Sequence, residues 1–332
     1  MTNHWGVDVS LWQDESELSA AQVNALAAGG CSFAILRAGQ PWRADNQLAR
    51  HMTNFGNAGI PVGVYFWGDP LQNANEQIDW YLSICDPWRN QISCYALDAE
   101  QWWASWAEYY RYVRGEIPMI DVPRIPPATI SARYHEMANR LRSQVDRPAF
   151  VYSGGYFVRD MATGMASWLN SELYLFWCAT YRMGPNPCTY AELQAYLPSL
   201  TIPFYDGVDS WEVWQFSSGG TNYPRLIGQN PLDLNFIPDD GVYSYLFGNG
   251  EIPPPPPPKP ATVAGRTLYS MRVRSGPGTG YSTVALIPAG TAIEGNTLGG
   301  DCWLEIEPGR WVCLYKGGQK FVELTPRETP VE

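Results

Sequence analysis

Lysine is absent from the first 250 of the 332 residues, where 14 arginines and 25 acidic residues carry the whole net charge of −11. From residue 251 onward, 8 basic and 8 acidic residues balance. Nucleic-acid binding needs clustered Lys and Arg, and anionic lipid attracts polybasic segments, so the acid surplus argues against both as partners. No apolar run approaches the roughly 18 residues of a membrane span. The opening MTNHWGVDVS has neither the basic start nor the apolar stretch of a secretory signal, so export by that route is not expected. Three histidines and no CxxC pair give no metal-like spacing, and no GxGxxG follows the first strand, so the expected cofactor is none. Cysteine is also sparse. Seven is an odd number, and the short-range pairs Cys85/Cys94, Cys178/Cys188 and Cys302/Cys313 compete with a reading as reduced thiols.

Proline, by contrast, is concentrated. Six in a row at 253–258 exclude a helix or a central strand, because each ring fixes φ and removes a donor. Residues 251–262 therefore read as a semi-rigid linker of about 3.1 Å per residue. They divide a 1–250 domain from a small 263–325 module and a 326–332 tail.

The first 240 residues alternate short β-type runs with helical ones. Strands are expected at 5–12, 33–39, 61–68, 93–100, 148–155, 173–181, 211–218 and 232–237. Helices are expected at 15–28, 45–58, 71–84 and 128–145, the first two stopped by Gly29-Gly30 and Gly59. This alternation implies an α/β fold with a parallel sheet, and eight strands in about 235 residues fit a closed TIM-like barrel with weaker helices between its last three strands; a doubly wound open sheet is the alternative. The module at 263–325 shows short β runs and turns without helical period, as in a small all-β barrel.

Chemistry in a parallel barrel sits at the C-terminal strand ends. Asp98 and Glu100 end the fourth strand, about 6–7 Å apart on one face. Asp8 lies in the first strand and Asp233 in the eighth, which closure makes neighbours. Four carboxyls at one mouth suit glycoside hydrolysis. One must stay protonated to serve the leaving oxygen, while others stabilise positive charge on the sugar. Trp102 and Trp103 are candidates for an apolar wall that keeps Glu100 protonated. Fifteen tryptophans and 20 tyrosines supply rings for sugar faces. Trp12, Tyr65, Trp67, Trp102, Tyr152, Tyr181 and Trp214 fall at or near strand ends.

Together GVDVSLWQ, PVGVYFW, ALDAE, VYSGGYF, WQF and LDLN, in this order over 1–238, resemble glycoside hydrolase family 25, the Chalaropsis-type lysozymes. The resemblance implies a barrel with an incomplete outer helix ring, and cleavage of the β-1,4 bond from N-acetylmuramic acid to N-acetylglucosamine in peptidoglycan. It implies Glu100 as general acid and Asp98 as the group that orients the substrate's 2-acetamido group or stabilises the intermediate. Asp8 and Asp233 become supporting carboxylates, and Tyr65 lies in the cleft. Neighbouring-group help and an inverting water both stay open, with the former preferred because Asp98 adjoins Glu100. The Trp-, Tyr- and Pro-rich stretch at 101–127 departs from typical members.

The stretch MRVRSGPGTGYSTVALIPAGTAIEG followed by WLEIEPGRWVCL resembles a bacterial SH3-type domain, which implies wall binding, with Tyr281, Trp303 and Trp311 as candidate contacts. A wall-directed enzyme without an export signal resembles a phage endolysin, held in the host cytoplasm until release. A bacterial autolysin exported by another route is the runner-up. A catalytically silent wall-binding protein and a chitinase-like glycosidase are the competing functions.

Overall fold

The computed structural model describes residues 4–14, 16, 18–172, 174–181, 189–199, 208, 210–218, 232–248, 263–275, 282–295, 297–299, 303–307, 310–316 and 319–324. The chain divides into two compact units, residues 1–251 and 252–332. The expected linker, Tyr281, Cys188 and Cys302 lie outside the described residues.

In the first unit, β1 (His4–Val9), β2 (Phe33–Gln40), a short return strand β3 (Arg43–Ala44), β4 (Val62–Trp67), β5 (Ile92–Asp98), β6 (Ala149–Gly154), β7 (Leu175–Ala179), β8 (Val213–Ser218) and β9 (Asp233–Ile237) form one sheet. Pairing of β1 with β2 closes eight of them into a barrel, with β3 attached to the edge of β2. Side chains alternate across this wall, as a period of two demands. Phe33, Ile35, Cys94, Ala96, Phe150, Tyr152 and Trp177 fill the interior. Trp5, Val7, Val9, Leu36, Val64, Leu97, Val151 and Phe176 face outward beneath the helices. At Gly6 the interior has no space for a side chain, since a Cβ would lie 2.4 Å from the Phe33 carbonyl oxygen.

Helix starts follow their caps. Predicted over 15–28, α1 (Ala20–Ala28) begins later, where Gln22 Oε1 accepts from the Ser19 amide. Next, α2 (Leu48–Asn57) starts after Asp45, whose carboxyl is buried against Arg37 and the amides of Leu11 and Gln47. The side chain of Asn73 accepts from two amides at the start of α3 (Ala74–Cys85). The 101–127 stretch contains α4 (Trp106–Val113), which the sequence pattern did not reveal, and α5 (Pro127–Gln144) follows. Further on come α6 (Met165–Ser171), α7 (Tyr190–Tyr196) and α8 (Asp240–Phe247). Leu246 and Phe247 of α8 plug the bottom of the barrel, with Phe247 stacked on Phe33 at 4.7 Å. Among the described residues, no helix is long and apolar enough to cross a membrane.

The all-parallel expectation is corrected at one strand. Six junctions, from β1–β2 through β7–β8, are parallel, but β9 runs antiparallel to both β8 and β1. The residues between β8 and β9, 219–231, lie outside the described set, and the register alone shows that β9 runs down from the mouth. The candidate pair Cys85/Cys94 is corrected too. Cys94 points into the barrel while Cys85, the last residue of α3, belongs to the outer layer, each a separate buried thiol.

The second unit is all-β. A sheet ordered β12 (Thr283–Ile287), β11 (Met271–Arg274), β16 (Arg310–Cys313), β15 (Trp303–Glu307), β14 (Thr297–Gly299) accompanies a second sheet of β13 (Ala292–Gly295), β10 (Val263–Thr267), β19 (Val322–Leu324) and the pair β17 (Tyr315–Lys316) and β18 (Gln319–Lys320). Met271, Val273, Ile293, Leu304, Val312 and Val322 form its core. Trp303 is buried, so its expected role as a surface contact is corrected. The side chain of Trp311 lies outside the described set.

Candidate active site

The four predicted carboxyls converge at one mouth of the barrel. Asp98 is the last residue of β5, in register with Trp67 of β4 and Tyr152 of β6. Hydrogen bonds hold the backbone on both sides of Glu100. The Gly68 amide donates to the Asp98 carbonyl at 3.0 Å, the Ala99 amide to the Tyr152 carbonyl at 2.9 Å, and the Gln101 amide to the Tyr134 hydroxyl at 3.0 Å. Strand parity thus continues to Glu100, on the same side as Asp98. Across the mouth, Asp8 of β1 stands opposite Asp233, the first residue of β9. Only the antiparallel direction of β9 brings that first residue to this mouth.

A network of neutral donors grips Asp8. Gln215 Nε2 and Asn235 Nδ2 each donate to Asp8 Oδ2 at 2.8 Å. Gln215 Oε1 in turn accepts from the hydroxyls of Tyr152 and Tyr181, both at 2.8 Å. Trp177 Nε1 donates to Asn235 Oδ1 at 2.8 Å, which fixes the amide orientation. With both oxygens of these amides committed as acceptors, their NH₂ groups must face the carboxylate.

Burial governs the protonation of all four acids. It pushes Asp8 up to about 6, while the bonds from Asn235, Gln215 and Asp233 pull it down. Asp233 is driven well above the usual carboxylate range by burial and then by the Asp8 charge, so it keeps its proton and donates it to Asp8. Burial followed by the Asp8 charge raises Glu100 to about 7, against the hydrogen bond of the Tyr152 hydroxyl. Asp98 is likewise raised by burial and by Glu100, with Arg37 opposing. Arg37 is itself fixed by its Nε–Asp45 Oδ2 bond at 2.8 Å. Buried Asp98 Oδ1 has no hydrogen-bond partner, the mark of an acceptor waiting for a ligand donor.

The expected ring contacts divide. Tyr65 faces the interior near all the aspartates, edge-on to Trp177 at 6.1 Å. Tyr181 is 43% exposed at the rim. Tyr152 acts through its hydroxyl, its ring being buried. Trp67 stays half-buried beside Asp98, packed on Trp103 and Trp106.

Two expectations are corrected. Trp214, 1% exposed, points away from the cleft into the outer core, with Nε1 donating to the Thr180 carbonyl. Trp102, 5% exposed, is the core of the 101–127 stretch, with Arg124 over its ring and Tyr109 and Tyr112 at its edges. Tyr109 and Tyr156, whose hydroxyls feel the Glu100 charge, flank the acid instead. Gln215, Asn235, Trp177 and Arg37 had not been singled out as site residues. The signal was present for the two amides, since each is polar at an inward position of an apolar strand.

No curated protein sequence matches the chain. Solved structures of similar fold include the bacterial lysozyme of Streptomyces coelicolor, at 19% identity and TM-score 0.51 over 75% of this chain and 99% of that one. The muramidase of Trichobolus zukalii gives 16% and 0.52 over 74% and 100%. The family GH25 lysozyme of Aspergillus fumigatus gives 16% and 0.50, again over 74% and 100%. Residues 7–223 match the family model described as Glycosyl hydrolases family 25. That match spans most of the chain and contains three of the four converging carboxyls, and the chain is therefore a glycosidase belonging to glycosyl hydrolases family 25.

Proposed function

We propose that this glycosidase is a muramidase, which cuts the β-1,4 bond between N-acetylmuramic acid and N-acetylglucosamine in bacterial peptidoglycan. One observation carries the reading: Glu100, raised to about 7, holds a proton into the neutral range beside three further acids. A general acid works best when its pKa lies near the operating pH. Glu100 gives its proton to the bridging oxygen as the bond from the anomeric carbon breaks. Asp98, with Oδ1 unpartnered, takes the N–H of the 2-acetamido group and turns that group's carbonyl oxygen toward the anomeric carbon. Glu100, now ionised, then draws a proton from the water that completes hydrolysis. Asp8 and Asp233 carry one shared negative charge that supports the cationic sugar.

The C-terminal unit is read as an SH3-type wall-binding module, and the whole chain as an endolysin that reaches the wall from within the host cell. Purified walls digested with the protein are expected to gain reducing ends on muramic acid. Ends on N-acetylglucosamine overturn the bond assignment, and chitin-oligomer cleavage without wall release favours the chitinase-like alternative. Wall pull-down without sugar release favours a silent binder.

A further inference from the structure

The stretch that departs from typical family members builds a surface beside the acids. Backbone bonds from the Ala104 amide to the Pro123 carbonyl and from the Ile125 amide to the Trp102 carbonyl close it as a loop, with α4 at its tip. The hairpin of β2 and β3 approaches from the other side and is braced by Trp80 Nε1, which donates to the Gln40 carbonyl at 3.2 Å. Between them the rings form a continuous series. Trp67, in register with Asp98, lies 5.3 Å from Trp106 and 5.8 Å from Trp42. Trp106 meets Trp42 edge-on at 5.2 Å and Tyr110 at 5.6 Å. Trp103 lies behind, stacked on Tyr109 at 3.6 Å. The series ends in the open, with Trp42 49% and Tyr110 51% exposed.

Large rings left in water at the end of a buried aromatic cluster lose hydrophobic stabilisation that packing alone would have gained. An edge-on contact engages the face of only one ring of each pair, and at the end of the series Trp42 and Tyr110 keep exposed ring faces. Such faces suit the apolar C–H face of a pyranose, and the row is continuous with the cleft through Trp67.

We propose that Trp42, Trp106 and Tyr110 form a sugar-binding shelf that takes a residue of the glycan strand beyond the pair flanking the cut bond. The shelf makes the enzyme favour long strands over short oligosaccharides. This inference rests on the glycosidase reading but not on which bond is cut.

The test measures binding of the disaccharide and the hexasaccharide of β-1,4-linked N-acetylglucosamine to the full chain carrying Glu100→Gln. Binding is followed by calorimetry, with and without Trp42→Ala or Tyr110→Ala. Both side chains stand half in solvent, and an unchanged melting temperature checks that the variants keep the fold. Each is expected to weaken hexasaccharide binding about tenfold and leave the disaccharide unchanged. In the otherwise native chain, each raises KM on full-length glycan strands at constant kcat. Equal affinity for the hexasaccharide in parent and variants, or equal loss for both lengths, overturns the shelf. Displacement of the hexasaccharide from it by free stem peptide overturns the choice of ligand. A protein that binds the hexasaccharide through Trp42 yet frees no muramic acid ends sinks the muramidase reading alone.

Discussion

Asp8 and Asp233 face each other across the β1–β9 pair, and the hydrogen bond between their carboxyls joins them into one acid that holds a single charge at neutral pH. Two carboxylates this close cannot both ionise cheaply in a buried site. The charge that remains rests on Asp8, where Gln215 and Asn235 stabilise it, and there it helps to keep the proton on Glu100.

Asp8→Asn removes that charge. The Glu100 pKa then falls, the acid loses its proton at lower pH, and the alkaline limb of kcat/KM moves toward acid. A pH profile of glycan release measures the shift. An alkaline limb that stays in place would show that Asp8 does not govern Glu100.

Glu100→Gln keeps the shape of the side chain but has no proton to transfer. Its kcat should fall by about 10²–10⁴, while circular dichroism and the melting temperature show an intact fold. Retention of activity within about tenfold would remove Glu100 from the acid role.

Gln215→Met removes the acceptor shared by the Tyr152 and Tyr181 hydroxyls and takes one donor from the buried Asp8 carboxyl. Leaving buried polar groups unpaired costs about 1–3 kcal/mol, read as a lower unfolding midpoint in urea. Tyr181→Phe, which removes only one rim donor, should cost clearly less. Equal losses would mean that the network does not converge on Gln215.

The carboxyl of Asp98 ionises in the unfolded chain near 3.8 but well above that when folded. Between those values the folded state binds more protons, so stability falls as pH rises through the window. Asp98→Asn lacks this loss. Its melting temperature should exceed that of the parent by a margin that grows from pH 4 toward neutrality in scanning calorimetry, although activity falls. A margin independent of pH would contradict the burial of an ionisable Asp98.

Trp214→Ala should act on the fold rather than on substrate. Emptying a buried tryptophan site costs about 3–5 kcal/mol, seen in denaturant unfolding, while Trp214→Phe leaves KM for glycan unchanged. A selective rise in KM for the Phe variant would return Trp214 to the cleft.

Asp98 and Glu100 were legible because they close an apolar run at a spacing of two, and strand parity alone sets them on one side. Trp214 was misread although the same parity held the answer. Gln215 lies between two aromatic residues, and a polar residue in that setting marks the inner face, which sends Trp214 outward. Trp102 could not be placed from pattern. Its surroundings come from α4 and Arg124, brought together by tertiary contacts without periodicity in the chain. Asp233 reached the correct mouth for a reason absent from the initial expectation. As the first residue of a parallel strand it would lie at the far end of the barrel, and the reversed direction of β9 is a property of pairing that local sequence does not encode.

The reversal of β9 also sets how far the catalytic portion can be trimmed. The segment recognised by the family model stops at residue 223, ahead of Asp233, Asn235 and the plug formed by Leu246 and Phe247. A transplantable cutting module designed on that boundary would be a barrel with one stave missing and half of its acid pair gone. The smallest cassette worth fusing to a foreign targeting domain therefore ends after Phe247.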